Sequence, residues 1–127
     1  MIRSSRSRMS LLAVYVVGLL ALTLAPLPHT ALALASAQGL DKAVHVVLFG
    51  GLAAMIYWNL MPTGGASALR VVLPSGMLAA LVELLQASLP YRTADVWDFL
   101  WGLAGAVAAY LVLRRRAGRD RTSGRVA

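Results

Sequence analysis

The stretch "LRVVLPSGMLAALVELLQASLPYRTADVWDFLWGLAGAVAAYLVL" (residues 69–113) decides the fold. It contains two apolar runs, about residues 69–89 and 95–113, and Pro90 closes the first of them. Each run is close to the roughly 20 residues that a helix needs to cross a hydrocarbon layer about 30 Å thick. Continuous apolar runs of this length are not the alternating strands of a barrel. The stretch therefore predicts two membrane-spanning helices joined by a short polar turn.

Two further apolar runs precede this stretch, at about residues 9–26 and 41–61. The whole chain is 59% hydrophobic, and its mean hydropathy is +0.71. A soluble domain is rarely so apolar, so the excess is expected to face a lipid bilayer. The prediction is an all-α polytopic membrane bundle of four transmembrane helices, forming a single domain over residues 1–127.

Basic residues are distributed unequally between the two ends of the predicted spans. The net charge is +7, and ten of the twelve lysine and arginine residues lie before the first span, beside the loop after the second, or in the tail 114–127. Lys42 and Arg92 are the two on the other side. Because cytoplasmic segments carry the excess of basic residues, both termini are predicted to be cytoplasmic. The tail is interpreted as this topology signal with attraction to anionic headgroups, and nucleic-acid binding is not expected.

The first span allows a second interpretation, as a secretory signal. A basic segment precedes the apolar run, and "ASAQ" (Ala35 to Gln38) resembles a small-residue cleavage site. The run is at the upper length limit for a signal, and Pro26 and Pro28 separate it from that site. We therefore expect an uncleaved first helix, while cleavage would leave the other three helices with the same orientation.

Eight polar residues are predicted to meet at one membrane face. With both termini cytoplasmic, the second helix begins at the outer face, the third ends there and the fourth begins there. The residues at those helix ends are Asp41, Lys42, His45, Glu83, Gln86, Arg92, Asp95 and Asp98. They include four of the five acidic residues and the single lysine, at spacings that place them on one face of each helix. Ionisable groups inside spans usually face a bundle interior or a wet cavity, so the pattern favours a polar pocket.

The residue types suggest roles within this pocket. Glu83, His45 and Asp98 are the candidate catalytic residues, which would orient a bound molecule or move a proton. Lys42 and Arg92 would hold an anionic group. The complete set of candidate ligand-binding residues is Asp41, Lys42, Gln86, Arg92 and Asp95. No nucleophile elbow, phosphate-binding glycine loop or metalloprotease motif occurs, so the sequence does not define a reaction.

Two other interpretations of these residues remain. In a salt-bridged cap, Asp41 would cap the second helix, Arg92 would pair with Asp95 or Asp98, and Lys42 or His45 would hold Glu83. Buried ion pairs are poor stabilisers, which favours a pocket over a cap. A divalent metal held by His45 and carboxylates has suitable ligand types but no recognised spacing. Since the chain also has no cysteine, no metal site and no cofactor are predicted.

Two further patterns concern how the spans pack and sit in the bilayer. Small residues recur at helical spacing in the fourth span and predict close approach of a neighbouring helix. They are Gly102, Gly105, Ala106 and Ala109.

Aromatic residues near the span ends are expected to anchor the helices in the interfaces. They are Tyr57, Trp58 and Tyr110 toward the inner face, and Tyr91 and Trp97 toward the outer face.

Three pieces of sequence, "DKAVHVVLF" (41–49), "ELLQASLPYR" (83–92) and "DVWDFLWGLAGA" (95–106), follow one another on successive helices. Together they resemble the VanZ-like family of small bacterial membrane proteins, over about residues 41–109. The matching positions are Asp41, Lys42, His45, Phe49, Glu83, Gln86, Pro90, Arg92, Asp98, Gly105 and Ala106. The chain departs from the pattern at Gly102, where the family commonly has Asn, and at Tyr91, where Gly is usual.

The resemblance implies an envelope protein of the bacterial cytoplasmic membrane, and it implies no known reaction. The member that gives the family its name is associated with resistance to the glycopeptide antibiotic teicoplanin. We therefore expect the outer-face pocket to bind a cell-envelope ligand, lipid-linked or peptidoglycan-related, with a role in glycopeptide resistance or envelope homeostasis. The alternative is a non-enzymatic membrane partner or scaffold subunit, whose polar network is structural or docks another membrane protein.

Overall fold

Four long helices make up most of the described chain. The computed structural model describes residues 5–26, 28, 30–31, 33–34 and 39–123, with side chains as far as residue 120. The helices are α1 (Ser5–Leu24), α2 (Leu40–Leu60), α3 (Ala68–Ala87) and α4 (Val96–Ser123), and the 3₁₀ turn Met61–Thr63 follows α2. No strand occurs among these described residues, which confirms the all-α prediction.

The outer surfaces of the helices are apolar. All four helices are long and apolar enough to cross a membrane. Four residues are each 70% exposed: Val14 on α1, Val47 on α2, and Leu69 and Leu84 on α3. Large apolar surface of this kind is unfavourable in water and suits contact with lipid. The prediction of four transmembrane helices is therefore confirmed.

Some helix ends differ from those predicted. The fourth helix was expected to end near residue 113 but continues to Ser123, because alanine and arginine in the basic tail favour helix. The second helix begins at Leu40, and its N-cap is Gly39, with φ 68° and no side-chain cap. The prediction that Asp41 is the N-cap is therefore wrong, and its carboxylate accepts from the Lys42 N–H at 2.9 Å. The proposed cleavage site Ala35–Gln38 lies outside the described residues.

Glycines bring α2 and α4 into backbone contact. A Cβ atom added at Gly105 would collide with the Val46 backbone, and one added at Gly50 would lie 3.1 Å from the Gly105 carbonyl oxygen. At Gly102, an added Cβ would lie 2.8 Å from Cδ2 of Phe49. The close packing predicted from the small residues of α4 is confirmed, and Gly102 leaves room for the Phe49 ring.

The buried residues form two clusters along the bundle. The first contains Leu19, Phe49, Leu52, Ala79 and Val82. The second contains Ala53, Tyr57, Val71, Ala106 and Tyr110. The Tyr57 and Tyr110 rings meet edge to face, 6.2 Å apart, and the residues are only 7% and 5% exposed. The prediction that these two tyrosines anchor the bundle at the interface is wrong, because they face the α2–α4 interior.

Candidate functional site

Four helix ends lie together at one end of the bundle: the end of α1, the beginning of α2, the end of α3 and the beginning of α4. Gln86 Nε2 on α3 donates to the Thr23 carbonyl at the end of α1, at 2.8 Å. The Asp95 N–H, just before α4, donates to Glu83 Oε2 on α3 at 2.9 Å. We call this end of the bundle the site face. Six ionisable residues here, Asp41, Lys42, His45, Glu83, Asp95 and Asp98, are called the polar layer.

Lys42 lies among three carboxylates on the solvent-exposed side of the polar layer. Its Nζ is 3.4 Å from Asp41 Oδ2, 3.7 Å from Asp95 Oδ2 and 3.7 Å from Asp98 Oδ1. The Lys42 side chain is 32% exposed and that of Asp95 is 38% exposed, while that of Asp98 is only 10% exposed. The lysine therefore joins the solvent-accessible rim of the layer to its buried floor.

His45 is held with a defined tautomer on the floor of the layer. Its Nδ1 is 2.9 Å from the backbone carbonyl oxygen of Asp41. A carbonyl can only accept, so Nδ1 carries the proton and donates. In the neutral ring, Nε2 then presents a lone pair toward Glu83 Oε1, 3.6 Å away. The ring also stacks on Phe49, with centroids 6.0 Å apart, so its orientation is fixed on two sides.

The carboxylates of Glu83 and Asp95 connect α3 to the beginning of α4. Glu83 uses Oε2 to accept from the Asp95 N–H. The Asp95 side chain accepts in turn from the Trp97 N–H through Oδ1, at 2.9 Å, which is the geometry of a helix N-cap. Asp95 is thus both the cap of α4 and a neighbour of Lys42. Glu83 keeps Oε1 directed at His45.

Gln86 and Arg92 point toward α1 and away from the floor of the layer. The Arg92 guanidinium donates through NH2 to the Ala25 carbonyl at 2.9 Å and to the Leu22 carbonyl at 3.4 Å. Tyr91 Oη donates to the Leu24 carbonyl at 3.3 Å. The end of α1 is therefore tied to α3 and to the α3–α4 turn. Among the described residues Arg92 forms no ion pair with Asp95 or Asp98, which removes one element of the salt-bridged cap.

The buried floor has more acceptors than donors. His45 Nε2, Glu83 Oε1 and Asp98 Oδ1 are buried atoms with no hydrogen-bond partner among the described residues. The layer holds four carboxylates against one ammonium, which leaves three negative charges when His45 is neutral. Buried charge without full compensation is costly inside a membrane protein. The floor is therefore suited to accept protons, hydrogen-bond donors or a cation.

The sequence contained no signal for the part that α1 plays at the site face. Its contribution is made by backbone carbonyls of residues 22–25, which any residue type provides. The same is true of the Asp41 carbonyl that fixes the His45 ring. Phe49 was matched as a family position, and the structure assigns it the ring contact with His45.

A cavity of about 810 Å³ lies at the opposite end of the bundle. Tyr57, Tyr110 and the start of the basic tail, including Arg114, are among its lining residues. We assign the functional site to the polar layer, because the buried ionisable groups without hydrogen-bond partners in the described chain are concentrated there.

These features define a multi-pass helical membrane protein with a buried acidic layer at one face. The family model described as VanZ/LLP1 matches residues 12–117, and the chain belongs to this family. The match includes the motif-bearing residues 41–109 and extends into α1 and the beginning of the basic tail. No curated protein and no solved structure matches the chain.

Proposed function

We propose that this protein lies in the bacterial cytoplasmic membrane with both termini cytoplasmic, and that the polar layer binds a cell-envelope ligand at the outer face. The single observation that carries this proposal is that three buried atoms, on His45, Glu83 and Asp98, have no hydrogen-bond partner within the described part of the chain. A purely structural layer would be more stable with those atoms paired or replaced by apolar groups. The presence of these unpaired buried atoms supports a binding site.

The chemistry of the floor favours a headgroup that carries hydrogen-bond donors. Lys42 is already close to three carboxylates, so an anion that approached Lys42 directly would have to compete with them. Hydroxyl and amino groups, as on the sugars of lipid-linked or peptidoglycan-related molecules, would instead satisfy Glu83 Oε1 and Asp98 Oδ1. His45 Nε2 would accept a further donor or take up a proton.

The depth of the layer suits a ligand that is itself anchored in the bilayer. Lys42 and Asp95 are partly exposed at the rim, while His45 and Asp98 are 6% and 7% exposed beneath them. Exposed apolar residues, including Leu40 and Val44, flank the layer on α2. A lipid-linked molecule could place its chain along this apolar surface and its headgroup on the layer. Gln86 and Arg92 would support the site by holding α1 in place.

Native mass spectrometry of the gently detergent-extracted protein tests this function. Wild type is compared with Lys42→Ala and Glu83→Gln, and each variant has a matched control on the opposite face. Arg70→Ala removes a positive charge and Asp120→Asn removes a negative charge away from the polar layer. We expect a bound envelope lipid in wild type and in both controls, and its loss in both layer variants.

Identical lipid spectra for all five proteins would refute the binding site. Co-purification of a membrane protein in fixed stoichiometry, released by Arg92→Ala, would instead support a partner or scaffold role. If the site functions as proposed, cells with Glu83→Gln should also lose any change in teicoplanin tolerance or envelope integrity that wild type confers. The protein level in the membrane should remain unchanged in that variant.

A further inference from the structure

We propose that His45, Glu83 and Asp98 form a binding site for one divalent transition-metal ion. Each residue offers one ligand atom, and the three atoms lie within 4.8 Å of one another. The residues come from α2, α3 and α4 respectively. No two of them are close enough in sequence to form a spacing motif, so only the packing of the helices assembles this donor set.

The tautomer of His45 leaves the Nε2 atom available to bind a metal ion. Metal-bound histidines usually donate their other ring N–H to a carbonyl or carboxylate, which fixes the ring and its tautomer. Here Nδ1 donates to the Asp41 carbonyl at 2.9 Å. The lone pair of Nε2 faces Glu83 Oε1 at 3.6 Å, and His45 is only 6% exposed. Nε2 has no hydrogen-bond partner among the described residues, so the imidazole is oriented as a ligand on the side of Glu83, while Asp98 Oδ2 lies 3.9 Å from Nδ1.

The charge of the layer also favours a divalent cation. Four carboxylates and one lysine leave three negative charges around a neutral His45. Lys42 lies on the rim, where it is within 3.7 Å of both Asp95 and Asp98. On the floor, Glu83 Oε1 and Asp98 Oδ1 are buried and receive no hydrogen bond within the described chain. A divalent ion there would reduce the excess to one negative charge.

The donor set indicates which metals fit. Imidazole nitrogen with carboxylate oxygens suits Zn²⁺ and neighbouring first-row ions, and the lack of cysteine disfavours softer ions. Three protein ligands are the number found in zinc sites that keep a position open for water or substrate. Glu83 Oε2 remains bonded to the Asp95 N–H, so Glu83 would coordinate through Oε1 alone.

An open coordination position would let a hydroxyl oxygen of the proposed headgroup bind the metal ion, in place of the direct hydrogen bonds to Glu83 Oε1 and Asp98 Oδ1 described for the metal-free layer. This last step rests on the proposed function, whereas metal binding itself does not. The metal experiment therefore uses purified, lipid-depleted protein. Loss of the envelope lipid and loss of the metal are then measured separately, and either proposal can fail while the other stands.

Titration of chelator-treated protein in detergent with Zn²⁺, and with Co²⁺ as a spectroscopic probe, tests the site. We expect one ion per chain and visible Co²⁺ absorption of the intensity typical of four- or five-coordinate sites. His45→Gln and Asp98→Asn should each weaken binding at least about tenfold, the scale seen even for outer-shell changes at metal sites. Asp120→Asn is the matched control, because it removes one negative charge at the opposite end of the bundle and leaves the polar layer intact.

The proposal is overturned if wild type binds no stoichiometric Zn²⁺, or if Asp120→Asn weakens binding as much as Asp98→Asn does. The second result would show diffuse attraction to acidic residues. If a ligand variant fails to fold, the Co²⁺ spectrum of wild type still decides, since a spectrum identical in position and intensity to that of the hexa-aquo ion would contradict the proposed four- or five-coordinate site.

Discussion

The same helices bury different residue types at the two ends of the bundle, apolar and aromatic residues at one end and ionisable residues at the other. Away from the site face, Ala53, Val71 and Ala106 surround the paired rings of Tyr57 and Tyr110. At the site face, His45 and Asp98 are buried to a similar extent, at 6% and 7% exposure, but they present ionisable atoms without hydrogen-bond partners in the described chain. Packing explains the first end. It does not explain the second, where apolar residues would stabilise the bundle better.

The close contact of α2 with α4 connects the two ends. Gly50 and Gly105 allow the backbones to approach, and Gly102 receives the Phe49 ring on which His45 stacks. The apolar half therefore supports the geometry of the polar layer. Changes in the first should reduce stability, and changes in the second should affect binding more than stability.

The largest expected effect comes from Gly105→Leu. The new Cβ would collide with backbone atoms of Val46, and a backbone collision cannot be relieved by rotating a side chain. Overpacking typically costs about 1–3 kcal/mol, and we expect at least the upper part of that range for unfolding in mixed micelles. Gly18→Leu is the control, because a Cβ there would meet nothing within 4 Å. Equal stability of the two variants would show that the α2–α4 contact is not tight.

A smaller loss is expected for Arg92→Ala. The guanidinium donates to the Ala25 and Leu22 carbonyls, and hydrogen bonds to charged groups are worth about 1.5–3 kcal/mol when buried. We expect a loss toward the lower value, because Arg92 is only partly buried, and detachment of the end of α1 measured by protease accessibility. Arg70→Ala should leave this accessibility unchanged. If Arg92→Ala abolished lipid binding with α1 still docked, the predicted ligand role of Arg92 would be supported instead.

The smallest effect is expected for Tyr15→Phe. The Tyr15 hydroxyl donates to the Leu48 carbonyl at 2.8 Å and lies against Gly51. Interhelical hydrogen bonds in membranes average about 0.6 kcal/mol, so the free energy of unfolding should fall by about that amount. Tyr110→Phe keeps its ring contact with Tyr57 and serves as the comparison. A loss of several kcal/mol for Tyr15→Phe would mean that α1 depends on this one bond.

Helix number and the composition of the polar layer could be predicted from the sequence because both follow from local patterns. Apolar run length defines a span, and spacings of three and four place Asp95 with Asp98, and Glu83 with Gln86, on one helix face. Which neighbour each face meets is a property of the packed bundle. Gln86 and Arg92 were therefore predicted among the ligand-binding residues, while the structure shows them bonded to carbonyls of α1.

The packing of the bundle, which local sequence patterns do not define, also explains the other differences between the sequence predictions and the structure. Tyr57 and Tyr110 lie at a depth that suits an interface, but rotation of α2 and α4 turns their rings inward. The N-cap of α2 is Gly39, in a left-handed conformation. Asp41 was predicted there because acidic residues are common N-caps, and that preference gave no indication of Gly39. The donor set of His45, Glu83 and Asp98 has no spacing in sequence, since each residue belongs to a different helix.

The most direct test of the account is the free energy of unfolding of Glu83→Gln, measured in detergent without metal ions. Glutamine keeps an oxygen that can accept from the Asp95 N–H, and it removes only the charge that faces His45. If the layer is a binding site, the variant should be as stable as wild type or more stable, and it should lose the bound lipid. If His45 and Glu83 form a structural ion pair, removing one partner should cost about 3–5 kcal/mol, and that result would contradict the account.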